Sequence, residues 1–371
     1  VRPDDAALAL AFAAHRKQGA WREALRRLGS ATALTREPPR KLKALGLDDE
    51  ALRALRSPDT AMLARWQEWL ASADHRLLLL GAPDYPQRLA EIPDAPLALW
   101  TVGTHVELLA SPQIAVVGSR NPTGGGRATA EALAHFLSSC GLAVVSGLAV
   151  GIDAAAHRGA LRAPGGTIAV LGSGPDKIYP LENASLAAEI ATTGLLVSEY
   201  APGTPARRGH FPQRNRIIAG LALGTLVVEA TRRSGSLITA RLARDYGREV
   251  FAVPGSIQNP LSRGCHALLR DGAALVEEGA DMLREIAPQI ELLGLASSAV
   301  VATRIESVDV DPLRAKLLDA IGFEPATIDA LTTRVGLTAA ELSSMLLPLE
   351  LEGHVEALPG GRYCRLVKRN E

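Results

Sequence analysis

Between Ile114 and Gly255 six short apolar runs, IAVVG, AVVSG, TIAVL, LLVSE, TLVVE and VFAVPG, alternate with stretches of helical character. Apolar runs of about 4–8 residues separated by helix-length segments mark βαβ units, whose strands pair in parallel. A parallel sheet is covered by helices on both faces. The middle of the chain is therefore expected to be α/β, an extended Rossmann-like parallel sheet. In an open sheet of this kind ligands bind at the carboxyl ends of the strands.

Three of these ends carry glycine turns. The first is Gly118-Ser119-Arg120. The second is Ser146-Gly147, leading through Gly151-Ile152-Asp153 into a helix bearing His157. The third is Gly172-Ser173-Gly174, followed by Lys177 and Tyr179. Glycine there lets backbone N–H groups approach a ligand, and a following helix N-terminus favours an anion. The stretch from Gly209 to Gly255 supplies the rest. It holds Phe211, Arg214, Asn215 and Arg216, a strand at Thr225–Glu229, the pair Arg232 and Arg233, and Ser234-Gly235-Ser236. An amphipathic segment, Leu237–Tyr246, and a strand at Val250–Val253 complete it. Tight βα loops use glycine anyway. It is the coincidence with Arg120, Lys177, Arg214 and Arg216 that points to an anionic ligand.

The formal net charge is zero, yet Arg207 to Arg216 holds four arginines and His210 with no acid. A local basic patch on a neutral chain fits an anion bound at one place. The first turn lacks GxGxxG and no GxxxxGK[ST] occurs, so neither an ordinary dinucleotide nor a P-loop nucleotide fits. What remains is a pocket with several cations and a few rings, Tyr179 and Phe211, suited to the backbone and bases of a single nucleic-acid strand. Cys140, Cys265 and Cys364 lie far apart, suggesting neither a disulfide framework nor a zinc site, and no cofactor or metal is expected. Without an apolar run of about 18 residues or a signal-peptide pattern, no membrane partner and a cytoplasmic location are expected.

Catalytic patterns are weak. Ser146 precedes Gly147, but position 144 is Val, so GxSxG is absent. Asp153 and His157 sit one helical turn apart and invite an acid–base reading. The favoured reading is that Asp153 caps the helix and His157 packs at the pocket wall. Glu199 and Glu229 end strands beside arginines, which such carboxylates hold in place. With Ser234 and Ser236 they are expected to support the pocket, and no catalytic residue is assigned.

Residues 1–74 read as a small helical (SAM-like) domain with 13 Lys+Arg against 10 Asp+Glu, a net of +3. A packing or docking role is expected there ahead of DNA-backbone binding. Residues 75–286 form the Rossmann-like domain, with edge strands at Leu77–Leu80 and Leu97–Val102, and 287–309 a linker. In 310–371, helices at Pro312–Ile321, Thr327–Val335 and Thr338–Glu352 precede a hairpin of His354–Leu358 and Arg362–Leu366, the order of a winged helix. Its third helix bears Glu341, Glu350 and Glu352 with no Lys or Arg, and Pro348 is expected to kink it. Phosphate neutralisation needs cations, so this domain is expected to dock protein.

The motifs VGSRNPTGGG, VVSGLAVGIDAAAHRGAL, TIAVLGSGPDKIYP, LLVSEY, FPQRNRIIAGLALGTLVVEATRRSGSLITA and VFAVPG, in this order, resemble the DNA-processing protein A family (DprA, also called Smf). The resemblance runs from about Asp84 to Leu283. It implies a homodimer, built through the Rossmann-like domain, that binds single-stranded DNA without catalytic turnover. It also implies loading of the RecA recombinase on that DNA and protection of incoming DNA in natural transformation. By the same resemblance Ser119 and Arg120 form a first phosphate turn, Ser146, Gly147 and Gly151 a second, and Gly172 with Lys177 a third. Arg214, Asn215 and Arg216 would then close the pocket. SRGCHALLRDGA departs from the family in having His266 where Asn is usual, which touches packing or dimer detail. Two other classes stay open. One is a nucleotide-binding or nucleotide-hydrolysing Rossmann-like enzyme, for which Glu229 before Ser234-Gly235-Ser236 is a distant likeness lacking PGGxGT. The other is a transcription regulator, against which the acidic third helix speaks.

Overall fold

The computed structural model describes residues 5–14, 18–292, 316–317, 320–322, 326–351, 355–358 and 362–365. The chain divides into two compact units, Val1–Val301 and Ala302–Glu371.

The first unit is built on one nine-stranded sheet. Its strands are β1 (His75–Leu79), β2 (Ala98–Val102), β3 (Gln113–Val117), β4 (Ala143–Ser146), β5 (Thr167–Leu171), β6 (Leu195–Ser198), β7 (Gly224–Val227), β8 (Glu249–Ala252) and β9 (Ala274–Leu275). Their spatial order is β1-β2-β6-β5-β4-β3-β7-β8-β9. All neighbours from β6 to β9 pair in parallel, and β2 and β1 add on antiparallel at one edge. This is the α/β, Rossmann-like sheet that the apolar runs imply.

Strand β3 shows why those runs are apolar throughout rather than alternating. Ile114 and Val116 pack under the helices Gly124–Ser139 and Ile152–Leu161. Ala115 and Val117 pack under the helices His210–Leu221 and Ser236–Asp245 on the opposite face. Both faces are dry, so each Val or Ile contributes about 1.5–3 kcal/mol by burial. The first pair of helices approaches backbone to backbone. A Cβ at Gly159 would overlap the Glu131 carbonyl, so only glycine fits there.

Among the described residues the first 74 hold six short helices, from Asp5–Ala13 to Thr60–Trp69. Ser30, Asp48 and Asp59 accept hydrogen bonds from first-turn N–H groups of three of them, which stabilises starts too short to nucleate alone. Their core is shared with the sheet. Leu97 joins the cluster around Leu10, Trp21 and Leu34, and Trp100 of β2 meets Trp66 with ring centroids 5.1 Å apart. Position 74 is thus a change of secondary structure inside one packed body. At the other end, the helix Gly279–Leu292 runs past residue 286, where the linker was expected to begin. The remainder of that linker and the start of the helix expected from Pro312 lie outside the described residues.

The second unit is a winged helix. Helices Ile328–Val335 and Ala339–Leu351 pack with Leu317 and Ile321 against β10 (Ala326–Thr327), β11 (Val355–Leu358) and β12 (Arg362–Arg365), ordered β10-β12-β11. Thr327 caps the first of these helices and Gly336, at φ 80°, ends it in the left-handed conformation that glycine favours. The helix Ala339–Leu351 is continuous through Pro348.

Candidate functional site

From β3 the chain moves outward through β4, β5 and β6, then returns to place β7 on the other side of β3. The connections after β3 and β7 therefore diverge, and a crevice opens at their carboxyl ends, the usual ligand position in such sheets. It contains two adjoining cavities of ≈ 650 Å³ and ≈ 410 Å³. Arg120, Tyr179, Phe211 and Arg214 line both.

One helix face supplies much of the wall. Phe211, Arg214, Asn215 and Ile218 stand at i, i+3, i+4 and i+7 of the helix His210–Leu221, so all four face the groove. Phe211 meets Tyr179 with ring centroids 5.4 Å apart, and the Arg120 guanidinium lies 5.8 Å from the Phe211 centroid. Arg120 is exposed and Tyr179 is 51% exposed. Rings and a cation are thus presented together to solvent, a combination able to stack a base and neutralise a phosphate. Gly172 makes room for this cluster: its Cβ would stand 2.8 Å from the Phe211 ring.

Beneath them Arg214 is only 4% exposed. Its Nη1 donates to the Gly147 carbonyl at 2.7 Å and also to the Val170 carbonyl, joining the ends of β4 and β5. The guanidinium lies flat where a Cβ on Gly147 would be. Burial pushes its pKa down to about 10, and the Asp153 charge opposes that fall. Burial likewise raises the Asp153 carboxyl, against the Arg214 charge and two backbone donors, Gly147 N at 3.1 Å and Ala149 N at 3.4 Å. The helix cap itself is Gly151, so Asp153 does not cap the helix as expected and instead ties down the loop at Gly147 and Ala149.

That loop is closely fitted. Leu148 has φ 57°, uncommon for a residue with a side chain, and is held by burial and by Asn183 Nδ2 donating to its carbonyl at 2.9 Å. Gly151 has φ +89° and its Cβ would overlap the Ser119 carbonyl, which accepts the Ile152 N–H at 3.1 Å. The first and second glycine turns are thereby fastened to each other, with Gly118 and Ser119 on the groove wall.

Several expected site residues do other work. The Ser146 hydroxyl is wholly buried and donates to Val116 O at 2.6 Å, tying β4 to β3. Lys177 lines neither cavity. It stands 3.6 Å from Asp176, and its carbonyl accepts the Ser173 hydroxyl at 2.5 Å. Arg216 does not close the pocket. It pairs with Glu199 at 2.6 Å and Asp94 at 3.3 Å, because two residues along a helix turn a side chain by about 200°. Glu199 thus holds an arginine as expected, and also accepts from Gln18 at 3.1 Å. Glu229 instead accepts from Thr123 N at 2.9 Å and Thr123 Oγ1 at 2.7 Å, fixing the cap of the helix Gly124–Ser139 across the crevice.

His157 is a core residue. The Thr167 hydroxyl donates to Val144 O at 2.6 Å, so it accepts from His157 Nδ1 at 2.7 Å, leaving Nε2 buried with no partner. Burial first, then the Arg214 charge, pushes the ring down to about 3. The unfolded chain takes up this proton near 6.5 and the folded chain only near 3, so stability falls as pH drops through that window. The urea midpoint at pH 5 should lie below that at pH 7, and His157→Gln should narrow the gap. An unchanged gap in the variant would show the ring titrates normally.

Ser234 and Ser236 line the groove with their hydroxyls 2.7 Å apart. Thr231, Thr239, Asn121 and Arg208 also line it and were not singled out from sequence. Arg208 had a signal, standing three residues before Phe211. Among the described residues no cluster of His, Cys, Asp or Glu could hold a metal ion, and no helix is long and apolar enough to cross a membrane.

Residues 76–287 match the family described as DNA recombination-mediator protein A, and residues 304–361 match the DprA winged helix domain. The chain is 42% identical over 299 residues to Protein Smf of Escherichia coli K12, covering 80% of this chain and 79% of that one. The X-ray structure of DNA processing protein A from Streptococcus pneumoniae is similar, with a TM-score of 0.66 and 39% identity, over 75% of this chain and 96% of that one. A Helicobacter pylori DNA processing protein A structure, described as showing a single-stranded DNA binding mode, has a TM-score of 0.53 and 30% identity, over 58% and 96%.

Proposed function

The chain belongs to the DNA recombination-mediator protein A (DprA/Smf) family, and on that premise we propose that it binds single-stranded DNA in the crevice between β3 and β7, without catalytic turnover. One observation carries this reading: Arg120, Phe211 and Tyr179 form a solvent-facing cluster above the buried Arg214, at the switch point of the sheet. Rings accept any base by its face, and cations accept the shared backbone, so binding is tolerant of sequence. The buried, neutral His157 and the loop-bound Asp153 form no acid–base pair, which supports a binding role over hydrolysis.

The test is a titration of fluorescent oligo-dT against duplex of equal length. Oligo-dT should bind more tightly, with log K falling by about 0.7 per phosphate contact as log salt rises. Equal affinity for duplex, or a flat salt response, would sink the reading. The winged helix is read as a protein-docking module, since its helix Ala339–Leu351 carries Glu341 and Glu350 and no cation. The chain lacking residues 310–371 should then bind oligo-dT within about threefold of the parent, under 1 kcal/mol.

Loading of RecA on the bound strand, in natural transformation or recombination, and a homodimer through the Rossmann-like domain complete the proposal. RecA filament growth on a coated strand and sedimentation of the free protein read these two out. Release of free base from a nucleoside monophosphate would favour an enzyme instead.

A further inference from the structure

Glu199 and Tyr200, which follow β6, hold the groove helix His210–Leu221 at three places. Tyr200 stacks on His210 with ring centroids 3.9 Å apart and 14° between the planes. Its hydroxyl donates to Gln213 Oε1 at 3.1 Å, and Glu199 accepts from Arg216 Nη2 at 2.6 Å. His210, Gln213 and Arg216 stand at i, i+3 and i+6. This stripe is centred about 150° round the helix from the face that carries Phe211, Arg214, Asn215 and Ile218. The two sides of the helix divide the work: one lines the groove, the other is gripped by the end of β6. Arg216 is buried, and a second carboxylate, Asp94, stands 3.3 Å from its Nε.

The same Glu199 oxygen is held from the front of the chain. Gln18, at the start of the helix Gln18–Leu28, donates to it from Nε2 at 3.1 Å, while Gln18 Oε1 accepts from Arg22 Nη1 at 3.4 Å. A cation on the amide oxygen and a carboxylate on the amide nitrogen hold Gln18 in one orientation. Turning the groove helix by about 10° moves a side chain 5–6 Å from its axis by about 1 Å. Errors of about 1 Å separate a working site from a loose one. Resting on the reading of the groove given above, we propose that Glu199, Arg216 and Gln18 are positioning residues for strand binding. Together they set the rotation of the groove helix, and with it the aim of the Phe211 ring. None of the three lines either cavity. The first helices thereby take part in binding without presenting a surface to the strand.

The decisive variant is Glu199→Gln in the full chain, titrated with oligo-dT well below its melting temperature. It keeps the shape of the side chain and removes one negative charge. On electrostatics alone that loss tightens binding to a polyanion, so a weakening comes from geometry. Affinity should fall about tenfold. The log–log salt slope should stay parental, since a ring and not a cation is displaced. Parental or tighter binding overturns the proposal. A shallower slope also overturns it, because it marks a lost phosphate contact. Gln18→Ala removes a neutral, half-buried contact and reports on the first helices. It should bind about threefold more weakly, the worth of one hydrogen bond, again with the parental slope. Parental affinity in this variant overturns the part assigned to the first helices. If Glu199→Gln does not fold, Gln18→Ala decides by the same measure. A parent that does not bind oligo-dT sinks the groove reading itself, a distinct outcome.

Discussion

Arg214→Ala should destabilise the first unit by about 3 kcal/mol or more and abolish measurable oligo-dT binding. The guanidinium is buried at the junction of β4 and β5, where it donates to Gly147 O and Val170 O. Its removal takes a charged donor from two buried carbonyls and deprives the buried Asp153 of its largest favourable charge interaction. Losses of this kind are among the largest single-residue effects, because the group left behind is desolvated and uncompensated. Arg214→Lys should recover the charge but not the planar fork, and so only part of the stability. Urea unfolding followed by circular dichroism measures both. If Arg214→Ala unfolds with the parent, the side chain is a plain ligand contact and its place as a strut is wrong.

Arg120→Ala should behave in the opposite way. Arg120 is exposed, its guanidinium stands over the Phe211 ring, and its charge acts on the buried Asp153 less than that of Arg214 or the backbone donors. We expect an unshifted melting temperature and a loss of oligo-dT affinity of about 10- to 100-fold, the worth of one well-formed charge-assisted contact of roughly 1.5–3 kcal/mol. The salt slope should become shallower by about 0.7. Lys177→Ala is the comparison: with its amine beside Asp176 and outside both cavities, it should stay within about twofold of the parent. If Arg120→Ala binds as well as the parent, the strand does not cross the ring cluster.

The difference between Arg214 and Arg216 shows where sequence reading stops. The strands were legible because a parallel sheet buries both faces, so IAVV and TIAV read as continuous apolar runs with glycine at their ends. The run from Arg207 to Arg216 read as one basic stretch, and Arg214 and Arg216 were placed together at one pocket, either as contacts or as partners of Glu199 or Glu229 beneath it. Recognised as a helix, its period separates them: Phe211, Arg214, Asn215 and Ile218 share a face, and Arg216 points to Glu199 and Asp94. Ser146 was misplaced for a similar reason. A hydroxyl at a strand end can point along the edge or across to the neighbouring strand, and here it bonds Val116 O. Neither Leu148 in the left-handed region nor the bond from Asn183 that holds it has any local signal, since both depend on residues 35 positions apart.

The shared core of the first helices and the sheet edge bears on how pieces of such a chain can be exchanged between proteins. Trp66 and Trp100 complete each other, and Leu97 belongs to the cluster of Leu10, Trp21 and Leu34. A recombination event that swapped residues 1–74 for an unrelated helical segment would inherit a sheet edge shaped for partners it no longer has. The winged helix carries its own core, from Leu317 to Val355. The front of the chain shares its core with the sheet.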